Sequence, residues 1–419
     1  MRLPIPITRL LTTSLLAIAL PVLGDSQVQH RFSGFATLGI TSNDNPNLVY
    51  RRDVIQDQGS YDGKLEWRTD TLVGAQWQGL WTHAWETSVQ VVAKDRFEGS
   101  LDDAVEWAYV RYRPEDGLDL RLGRLGVDIF MLSDYRLVGY AYPWVRPPHE
   151  TYGLLSMYHI DGADITKRFD IGDSSLSLKA FYGRFKDDYP TSYRSNDSVG
   201  LQFEPYGFST VLEKGAWKWR ATYVNANLRD DYAGSLIDAL NAAGPYWPEA
   251  MEWSQKLRTH NKNAGYFELG MDYDSNNWWV QSELVRINSD TSLIGNSDHG
   301  YLSIGRRFGN LSVFAMAGFA EPRDRRVVII PPAEYPPPLA GQLEQLAQAT
   351  QGLLNGVRID QRSVSLGTRW DFRPRMALKF QVDDIDIATH GTNLWFTADE
   401  TVTSDQSATV ISLTLDVLF

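Results

Sequence analysis

The chain of 419 residues carries a net charge of −12 and contains no cysteine. Without cysteine, neither a disulfide-stabilised scaffold nor a thiolate-ligated metal or haem site is possible. A mean hydropathy of −0.31 excludes a bundle of membrane helices, which needs several apolar runs of about 20 residues. An acidic chain without a Lys/Arg-rich block is also not expected to bind nucleic acid.

The N-terminus has the residue order of an export signal. Two arginines precede the apolar run 10–20, and small or branched residues follow it. We predict cleavage after Gly24, which divides the chain into a signal peptide, 1–24, and a mature domain, 25–419. The alternative is an uncleaved N-terminal membrane anchor, which the short apolar run disfavours.

Beyond residue 30 the apolar residues recur with a period of two, which is typical of strands with one apolar face. The clearest segment is Lys64–Gln78, in which Trp67 and Trp77 share a face. At about 3.3 Å per residue and a tilt of roughly 40°, their indoles lie about 25 Å apart along a barrel axis. This spacing matches the apolar band between the two aromatic girdles of an outer-membrane barrel.

Sixteen such segments follow one another, joined alternately by short and long connections. The seven short connections are mostly rich in Gly, Asn, Asp or Ser, as tight turns require. We therefore predict the all-β fold class: one transmembrane antiparallel β-barrel of 16 strands, with both termini on the tight-turn side. The predicted strands are 32–40, 65–77, 85–94, 105–112, 118–124, 160–169, 176–184, 199–212, 217–228, 266–273, 278–287, 301–308, 311–319, 364–372, 376–387 and 409–419. The predicted long loops are near 41–63, 95–104, 125–159, 185–198, 229–265, 288–300, 320–363 and 388–408.

The last predicted strand ends the chain at Phe419, and every second residue before it, back to Ile411, is apolar. A C-terminal Phe after such a strand resembles the sorting signal of outer-membrane barrels. Together with the export signal, this ending predicts the cell outer membrane of a Gram-negative bacterium as the location.

In its architecture the chain resembles the bacterial trimeric porins, which are sixteen-stranded outer-membrane channels. The local resemblance is clearest at Leu122-Gly123-Arg124, which the long loop 125–159 and then Asp161-Gly162-Ala163-Asp164 follow. In that family a Gly-Arg at the end of the fifth strand leads into a third loop that folds into the barrel and narrows the pore. The resemblance implies an inward-folded third loop and passive diffusion of small hydrophilic solutes. It also implies a homotrimer in contact with outer-membrane lipid and lipopolysaccharide.

The third loop and the facing wall are the candidate pore constriction, because a narrow ring of charges sorts solutes where they must shed water. The loop is aromatic and mixed in charge, unlike the acidic third loops of the family, so the family's ion selectivity is not transferred. Alternation places Arg124 on the outer face, whereas the resemblance favours the pore for it. The candidate loop residues are Asp128, Asp134, Tyr135, Arg136, Arg146 and Glu150. The candidate wall residues are Lys64, Arg68, Lys94, Arg121, Arg124 and Lys179.

Each of these residues has an alternative interpretation as an ordinary solvated lumen residue, since barrel interiors are polar. The aromatic residues of the loop either bind ring-shaped solutes or pin the loop to the wall, and we favour pinning. We expect the acids Asp128, Asp134 and Glu150 to face the basic residues of the early strands, which are Lys64, Arg68, Lys94, Arg121 and Arg124. With acids on the loop and bases on the wall facing each other across a narrow gap, the channel should select only weakly between anions and cations.

No motif points to a catalytic residue, a cofactor or a metal site. None of the seven histidines forms a close pair at metal-ligand spacing, and no Gly-x-Ser-x-Gly elbow occurs. We therefore expect a passive channel and not an enzyme. One alternative is a surface receptor or adhesin whose barrel is occluded by its long external loops. Another is a barrel-housed hydrolase. The loop 125–159 separates channel from receptor, because a filled lumen does not conduct.

Two of the long loops contain apolar residues at helical spacing. In loop 320–363, leucines at intervals of three, four and seven follow a proline-rich stretch, which predicts a short amphipathic helix. Loop 229–265 has a similar pattern. We expect both to pack on the barrel mouth, with a lid or a receptor surface as the alternative.

Overall fold

A computed structural model describes residues 28–97, 101–193, 197–398, 402 and 404–419. The predicted export signal, 1–24, lies outside the described residues. Sixteen strands form the barrel. They are β1 Gln29–Asn43, β2 Leu72–Leu80, β3 Trp85–Lys94, β4 Val105–Glu115, β5 Leu118–Gly126, β6 His159–Ile171, β7 Ser174–Pro190, β8 Ser198–Lys214, β9 Trp217–Leu228, β10 Asn263–Asp274, β11 Trp278–Ser289, β12 Ser297–Phe308, β13 Leu311–Pro322, β14 Ile359–Arg373, β15 Met376–Thr392 and β16 Gln406–Leu418.

The sheet closes on itself because the first and last strands pair. Each strand is antiparallel to its neighbours in sequence, and β1 pairs with β16. At this seam Gly34 and Phe419 exchange backbone hydrogen bonds, with N···O distances of 2.7 and 2.9 Å. Closure leaves no strand edge open to lipid. The predicted 16-stranded antiparallel barrel is confirmed.

Short turns and long loops alternate around the barrel, as predicted. The turns contain two to four residues, and in two of them Gly117 and Gly309 adopt φ values of 73° and 62°, which glycine tolerates without strain. The loops connect the strands at the opposite end, and the structure describes some of them only in part. They are L1 44–71, L2 95–104, L3 127–158, L4 191–197, L5 229–262, L6 290–296, L7 323–358 and L8 393–405.

The outward face of the barrel is an apolar belt. Leu122, Val364 and Leu366 are 61 %, 60 % and 62 % exposed, although none belongs to a loop. So much exposed apolar surface suits contact with lipid. Aromatic pairs mark the turn end of this belt: Trp85 with Tyr112, Trp217 with Tyr273, and Trp370 with Phe372.

The second strand differs from the predicted segment 65–77. Leu65–Glu66 and Leu72–Leu80 both pair with β1, but the register shifts by two residues between them. The intervening residues form a bulge, the β2 bulge, which contains the exposed Trp67 and the buried Asp70. The prediction of one long strand ending in two indoles was therefore wrong, because alternation in a sequence does not reveal a two-residue insertion.

The helices of the described chain lie in loops. They are α1 Leu101–Ala104, α2 His149–Tyr152, α3 Gly234–Ala243, α4 Ala250–Leu257 and α5 Leu339–Gly356. The helix predicted in loop 320–363 is confirmed as α5, and loop 229–265 contains α3 and α4. These three helices share one apolar cluster and form a cap of L5 and L7. Within the described residues, no helix is long and apolar enough to cross a membrane.

Candidate functional site

Loop L3 lies inside the barrel, packed against its inner wall. Phe130 and Trp144 of L3 are 1 % and 0 % exposed. They belong to one apolar cluster, the lumen cluster, which extends from Ile160 on β6 to Phe314 on β13. Removing this apolar surface from water stabilises L3 in the lumen. The inward-folded third loop that the resemblance implies is therefore present.

Trp144 is the main aromatic anchor of L3. Its indole nitrogen donates a hydrogen bond to Ser303 Oγ at 2.8 Å. Its ring lies edge-on to Trp279 and Tyr301, with centroid distances of 5.9 and 5.8 Å. A buried indole with its hydrogen bond satisfied has a packing role. These contacts favour pinning of the loop over solute binding.

Arg146 attaches the middle of L3 to several parts of the wall. Its guanidinium makes two hydrogen bonds to Asp70, Nε–Oδ1 at 2.9 Å and Nη2–Oδ2 at 2.7 Å. It also lies 3.4 Å from Asp383 Oδ2 on β15 and donates to Tyr50 and Thr41. Because this charge is buried and engaged on all sides, Arg146 holds the loop against the wall.

Lys379 on β15 fixes a second point of L3. Its ammonium lies 2.9 Å from Asp416 Oδ2 and donates to the carbonyl oxygens of Gly139 and Trp144 at 2.6 and 2.7 Å. A Cβ at Gly139 would collide with the Asp416 carboxylate, so this close approach requires glycine. Strand alternation places Lys379 and Asp416 inward, but it gives no sign that they bind a loop backbone.

Two of the three L3 acids do not face the basic early strands, contrary to expectation. Asp128 pairs with Lys179 at 3.1 Å and with Arg220 at 2.9 Å. Burial opposes its ionisation, but Arg220 and Lys179 outweigh burial and lower the pKa of Asp128. Glu150 accepts a hydrogen bond from Gln361 Nε2 at 2.9 Å. The expectation was wrong because L3 crosses the lumen and packs on the later strands.

The tip of L3 borders a cavity with both polar and apolar lining residues. This tip, Ser133–Val138, called the L3 tip, faces Gln90, Glu106 and Trp107 of β3 and β4 across a cavity of about 20 Å³. Such a space holds about one water molecule. We call this cavity the polar gap. It lies between the L3 tip and β3 and β4. Next to it Leu137 of the tip packs on Phe35, Leu72 and Val92 of the early strands, and the other side of L3 is sealed by the lumen cluster.

Three predicted constriction residues border the polar gap: Asp134, Tyr135 and Arg136. Asp134 is exposed, and Tyr135 packs partly on the lumen cluster. Arg136 is buried, with its guanidinium carbon 3.6 Å from the centroid of the Tyr158 ring and Nη1 donating to the Leu155 carbonyl at 3.0 Å. The tip therefore presents both signs of charge to the gap.

Of the predicted wall residues, Lys94 lies beside the gap through its contact with Tyr158. Lys94 Nζ lies 3.1 Å from the centroid of the Tyr158 ring, on the cavity wall. Arg121 lies over Tyr109 at 5.3 Å and donates from Nε to Asp164 at 3.0 Å. Arg121 is therefore already paired, and its charge is largely balanced within the wall.

Three other predicted wall residues lie away from the gap, which corrects the prediction. Lys64 lies in L1 and its side chain is 58 % exposed. Arg68 belongs to the β2 bulge and pairs with Glu66 at 3.1 Å. Arg124 lies on the outward face, where it pairs with Asp161 at 2.9 Å. Strand alternation therefore predicted the face of the barrel on which Arg124 lies correctly, whereas the resemblance to porins, which favoured the pore, did not.

Loop L1 also enters the barrel, which the sequence did not reveal. Tyr50 packs against His149 and Trp395, with ring centroids 4.9 and 5.1 Å apart. Burial, reinforced by Arg146, lowers the pKa of His149 to about 3, so its ring is neutral. Irregular loops lack the periodicity that would predict such packing.

The closed barrel of 16 strands, its apolar belt and its inward third loop define a porin-type outer-membrane β-barrel. This architecture places the chain in the cell outer membrane of a Gram-negative bacterium. Within the described ranges, no group of three or more His, Asp or Glu side chains could hold a metal ion.

Solved structures share this fold at low sequence identity. The outer-membrane OmpT of Vibrio cholerae is 11 % identical, with a TM-score of 0.53 over 95 % of this chain and 99 % of that chain. OmpF of Salmonella typhi, solved with daunomycin, is 13 % identical, with a TM-score of 0.53 over 93 % and 97 %. An anion-selective porin from Comamonas acidovorans is 11 % identical, with a TM-score of 0.52 over 94 % and 100 %. No known family model and no curated protein sequence matches the chain.

Proposed function

We propose that the protein is an outer-membrane channel for passive diffusion of small hydrophilic solutes, without a catalytic step or cofactor. The observation that carries the proposal is the polar gap between the L3 tip and Gln90, Glu106 and Trp107. Polar groups at such a gap replace part of the water that a solute sheds. The tyrosine hydroxyls of the lumen cluster already donate hydrogen bonds within the protein, so the proposed path follows the inner wall of β3 and β4.

The size of the gap supports a narrow channel rather than a wide one. At about 20 Å³, it admits about one water molecule, and larger solutes require displacement of the L3 tip. We therefore expect a small conductance and steep discrimination by size. A modest charge preference is set at the tip by Asp134 and Arg136.

Swelling of proteoliposomes tests this proposal. Vesicles that contain the folded protein should swell faster in arabinose than in raffinose, because the smaller sugar needs less displacement of the tip. Replacing residues 133–138 by Gly-Gly should raise both rates and weaken the size dependence. A barrel that shows heat-modifiable migration on gels but admits no solute would contradict the proposal.

A receptor or adhesin with an occluded barrel is the second candidate. The lumen cluster, which seals one side of L3, favours it. So does the loop end of the molecule, from which Val328 and Ile330 protrude with exposures of 71 % and 82 %. This candidate predicts no solute flux in the swelling experiment, and flux therefore separates the two.

A barrel-housed hydrolase is not favoured by the Ser–His contact in β12. Ser297 Oγ lies 2.8 Å from His299 Nε2, but His299 Nδ1 faces the backbone carbonyl of Glu150 at 2.8 Å. In a Ser-His-Asp triad a carboxylate occupies that place and stabilises the imidazolium. Both side chains are also buried, so a substrate has no access to them.

We also propose a homotrimer in contact with outer-membrane lipid and lipopolysaccharide. On β1, Leu38 and Ile40 are 59 % and 46 % exposed, which suits burial against lipid or a neighbouring subunit. Near the loop end, the outward Arg286 pairs with Asp298 at 2.8 Å, and such a polar rim suits phosphate groups. Cross-linking in mild detergent should yield trimers, and a product consisting only of monomers would contradict this assembly.

The division into a signal peptide, 1–24, and a barrel domain, 25–419, is a separate proposal that rests on the sequence pattern. N-terminal sequencing of the protein from purified outer membranes should begin at Asp25. A protein that still begins at Met1 would contradict the proposed cleavage.

A further inference from the structure

Beside the polar gap lies a cluster of basic side chains that the channel proposal does not explain. It consists of Arg52 of L1, Lys94 of β3, Arg96 of L2 and Arg136 of L3, and we call it the cation cluster. Lys94 and Arg136 share the ring of Tyr158, at 3.1 and 3.6 Å from its centroid. Arg52 Nη2 donates to the Arg136 carbonyl at 3.2 Å. Four separate elements therefore bring positive charge to one place.

Four acidic side chains face this cluster. Glu106 pairs with Arg96, and Asp53 accepts a hydrogen bond from the Tyr158 hydroxyl. Asp187 of β7 interacts electrostatically with Arg96 as well. Asp70 also interacts electrostatically with Arg52, but it is paired with Arg146 at 2.7 Å. One of the four carboxylates is therefore shared with a basic side chain outside the cluster.

Part of the hydrogen-bonding capacity of the cluster is unused. Among the described residues, Lys94 Nζ, Arg96 Nε and Arg136 Nη2 are buried without an acceptor. The side chain of Arg96 is 8 % exposed, and Arg136 is 6 % exposed. Leaving a buried donor unsatisfied is unfavourable, and more so for a charged group. Three such donors from three elements at one site indicate a missing acceptor.

The cation cluster adjoins the polar gap through three of the residues that line it. Arg136 itself lines the cavity, as do Tyr158, which contacts Lys94, and Glu106, which contacts Arg96. A group that enters the gap therefore comes within reach of the cluster. The acceptor that would satisfy it must be small and must carry several oxygen lone pairs.

We propose that the cation cluster is an anion-binding subsite of the pore, which takes a small oxyanion, the carboxylate or phosphate group of a permeating solute. Such a group accepts several N–H bonds at once, and a guanidinium matches it with two parallel donors. The proposal rests on the channel function proposed above and assigns it a solute class, small organic acids or phosphates. The net charge of the chain, −12, does not predict an anion-binding subsite.

Calorimetric titration of the folded protein in detergent tests the subsite independently of conduction. The probes are inorganic phosphate and succinate, titrated separately so that the two kinds of oxyanion are distinguished. We expect saturable binding of at least one probe. Arg96→Gln and Lys94→Met should each weaken it at least about tenfold, because each removes a charged donor.

A matched control is available within the same lumen. Arg113 pairs with Glu86 at 2.8 Å near the turn end, so Arg113→Gln removes a luminal arginine outside the cluster and should leave probe affinity unchanged. Arg136→Lys keeps the charge on L3 and should retain binding, which separates loss of charge from disruption of the loop. If neither probe binds, or if both cluster variants bind like the wild type, the subsite is refuted.

Reversal potentials in a KCl gradient connect the subsite to permeation. The wild-type channel should prefer chloride, and the Arg96→Gln/Lys94→Met double variant should shift toward potassium. Probe binding to a folded barrel that does not conduct would contradict the channel function but support the subsite. Conduction without probe binding would contradict the subsite but leave the channel function intact.

Discussion

Arg146 of L3 and Asp70 of the β2 bulge form a buried ion pair inside the barrel, with a shortest distance of 2.7 Å and side-chain exposures of 2 % and 1 %. Asp70 lies in the bulge where the register of β2 shifts by two residues, and L3 brings Arg146 across the lumen to meet it. The irregularity in the strand and the inward fold of the loop are thus joined by this ion pair.

Replacing one partner of this pair should destabilise the folded barrel. Asp70→Asn leaves a buried guanidinium with only the more distant Asp383, and removal of one partner from a buried pair costs about 3–5 kcal/mol. Unfolding in urea, followed by gel mobility, should show a clearly lower midpoint. The control Asp62→Asn removes the partner of Lys64 in a pair that is 58 % exposed on both sides, and exposed pairs contribute about 0–1 kcal/mol. Equal midpoints for the two variants would show that Arg146 does not hold L3.

The close approach of L3 to the wall predicts an unequal effect of two Gly→Ala changes. Gly139→Ala places a methyl group against Asp416, and such overpacking costs about 1–3 kcal/mol. Gly341 in α5 has open space around it, so Gly341→Ala should be neutral or stabilising by about 1 kcal/mol. The melting temperatures of the two variants and the wild type make the comparison. If Gly139→Ala melts at the wild-type temperature, L3 does not approach Asp416 of β16 as closely as the structure shows.

His149 predicts a specific loss of stability in acid. Its pKa in the folded chain is about 3, below the ordinary value of 6.5, chiefly because it is buried and secondly because Arg146 is near. Between these values the unfolded chain binds the proton and the folded chain does not, so stability is full above pH 6.5 and falls as the pH drops toward 3.

The variant His149→Phe separates this contribution from the titration of carboxylates. It keeps an aromatic ring against Tyr50 and Trp395 but cannot bind a proton. The unfolding midpoint should therefore decline less between pH 7 and pH 4 in the variant than in the wild type. Identical pH profiles would contradict a buried, neutral His149.

Truncation of the aromatic anchor should loosen the lumen. Trp144→Ala removes the core of the contact with Trp279 and Tyr301, and deletion of a buried indole costs about 3–5 kcal/mol. Single-channel conductance should rise, because the sealed side of L3 opens. Trp219→Ala, on the outward face at 38 % exposure, should leave conductance unchanged. A conductance that rises equally in both variants would contradict the anchor role of Trp144.

The barrel could be predicted from sequence because its rules are local. For β3 and β9, alternation and turn residues predicted the same bounds that the structure shows, which are Trp85–Lys94 and Trp217–Leu228. These signals depend only on which face of a strand meets lipid and which meets the lumen. Every predicted strand corresponds to an observed one, and the β2 bulge is the main departure.

The interior of the barrel could be predicted only in part. Burial of L3 was expected, but its partners were not, because the contact between Asp128 and Arg220 joins residues that no sequence period relates. The same holds for Arg52, which reaches the cation cluster from an irregular loop. Long-range packing of loops is decided by shape and charge in three dimensions, and a single sequence carries no local signal of it.

The position of the conducting path is the central claim, and cysteine modification measures it most directly. The native chain contains no cysteine, so Asp134→Cys at the polar gap introduces a single thiol. A bulky cationic methanethiosulfonate reagent added to the open channel should block most of the current of this variant. It should leave the current of Gly341→Cys, on the external helix α5, unchanged. A current through Asp134→Cys that persists after complete modification would place the path elsewhere and contradict the account.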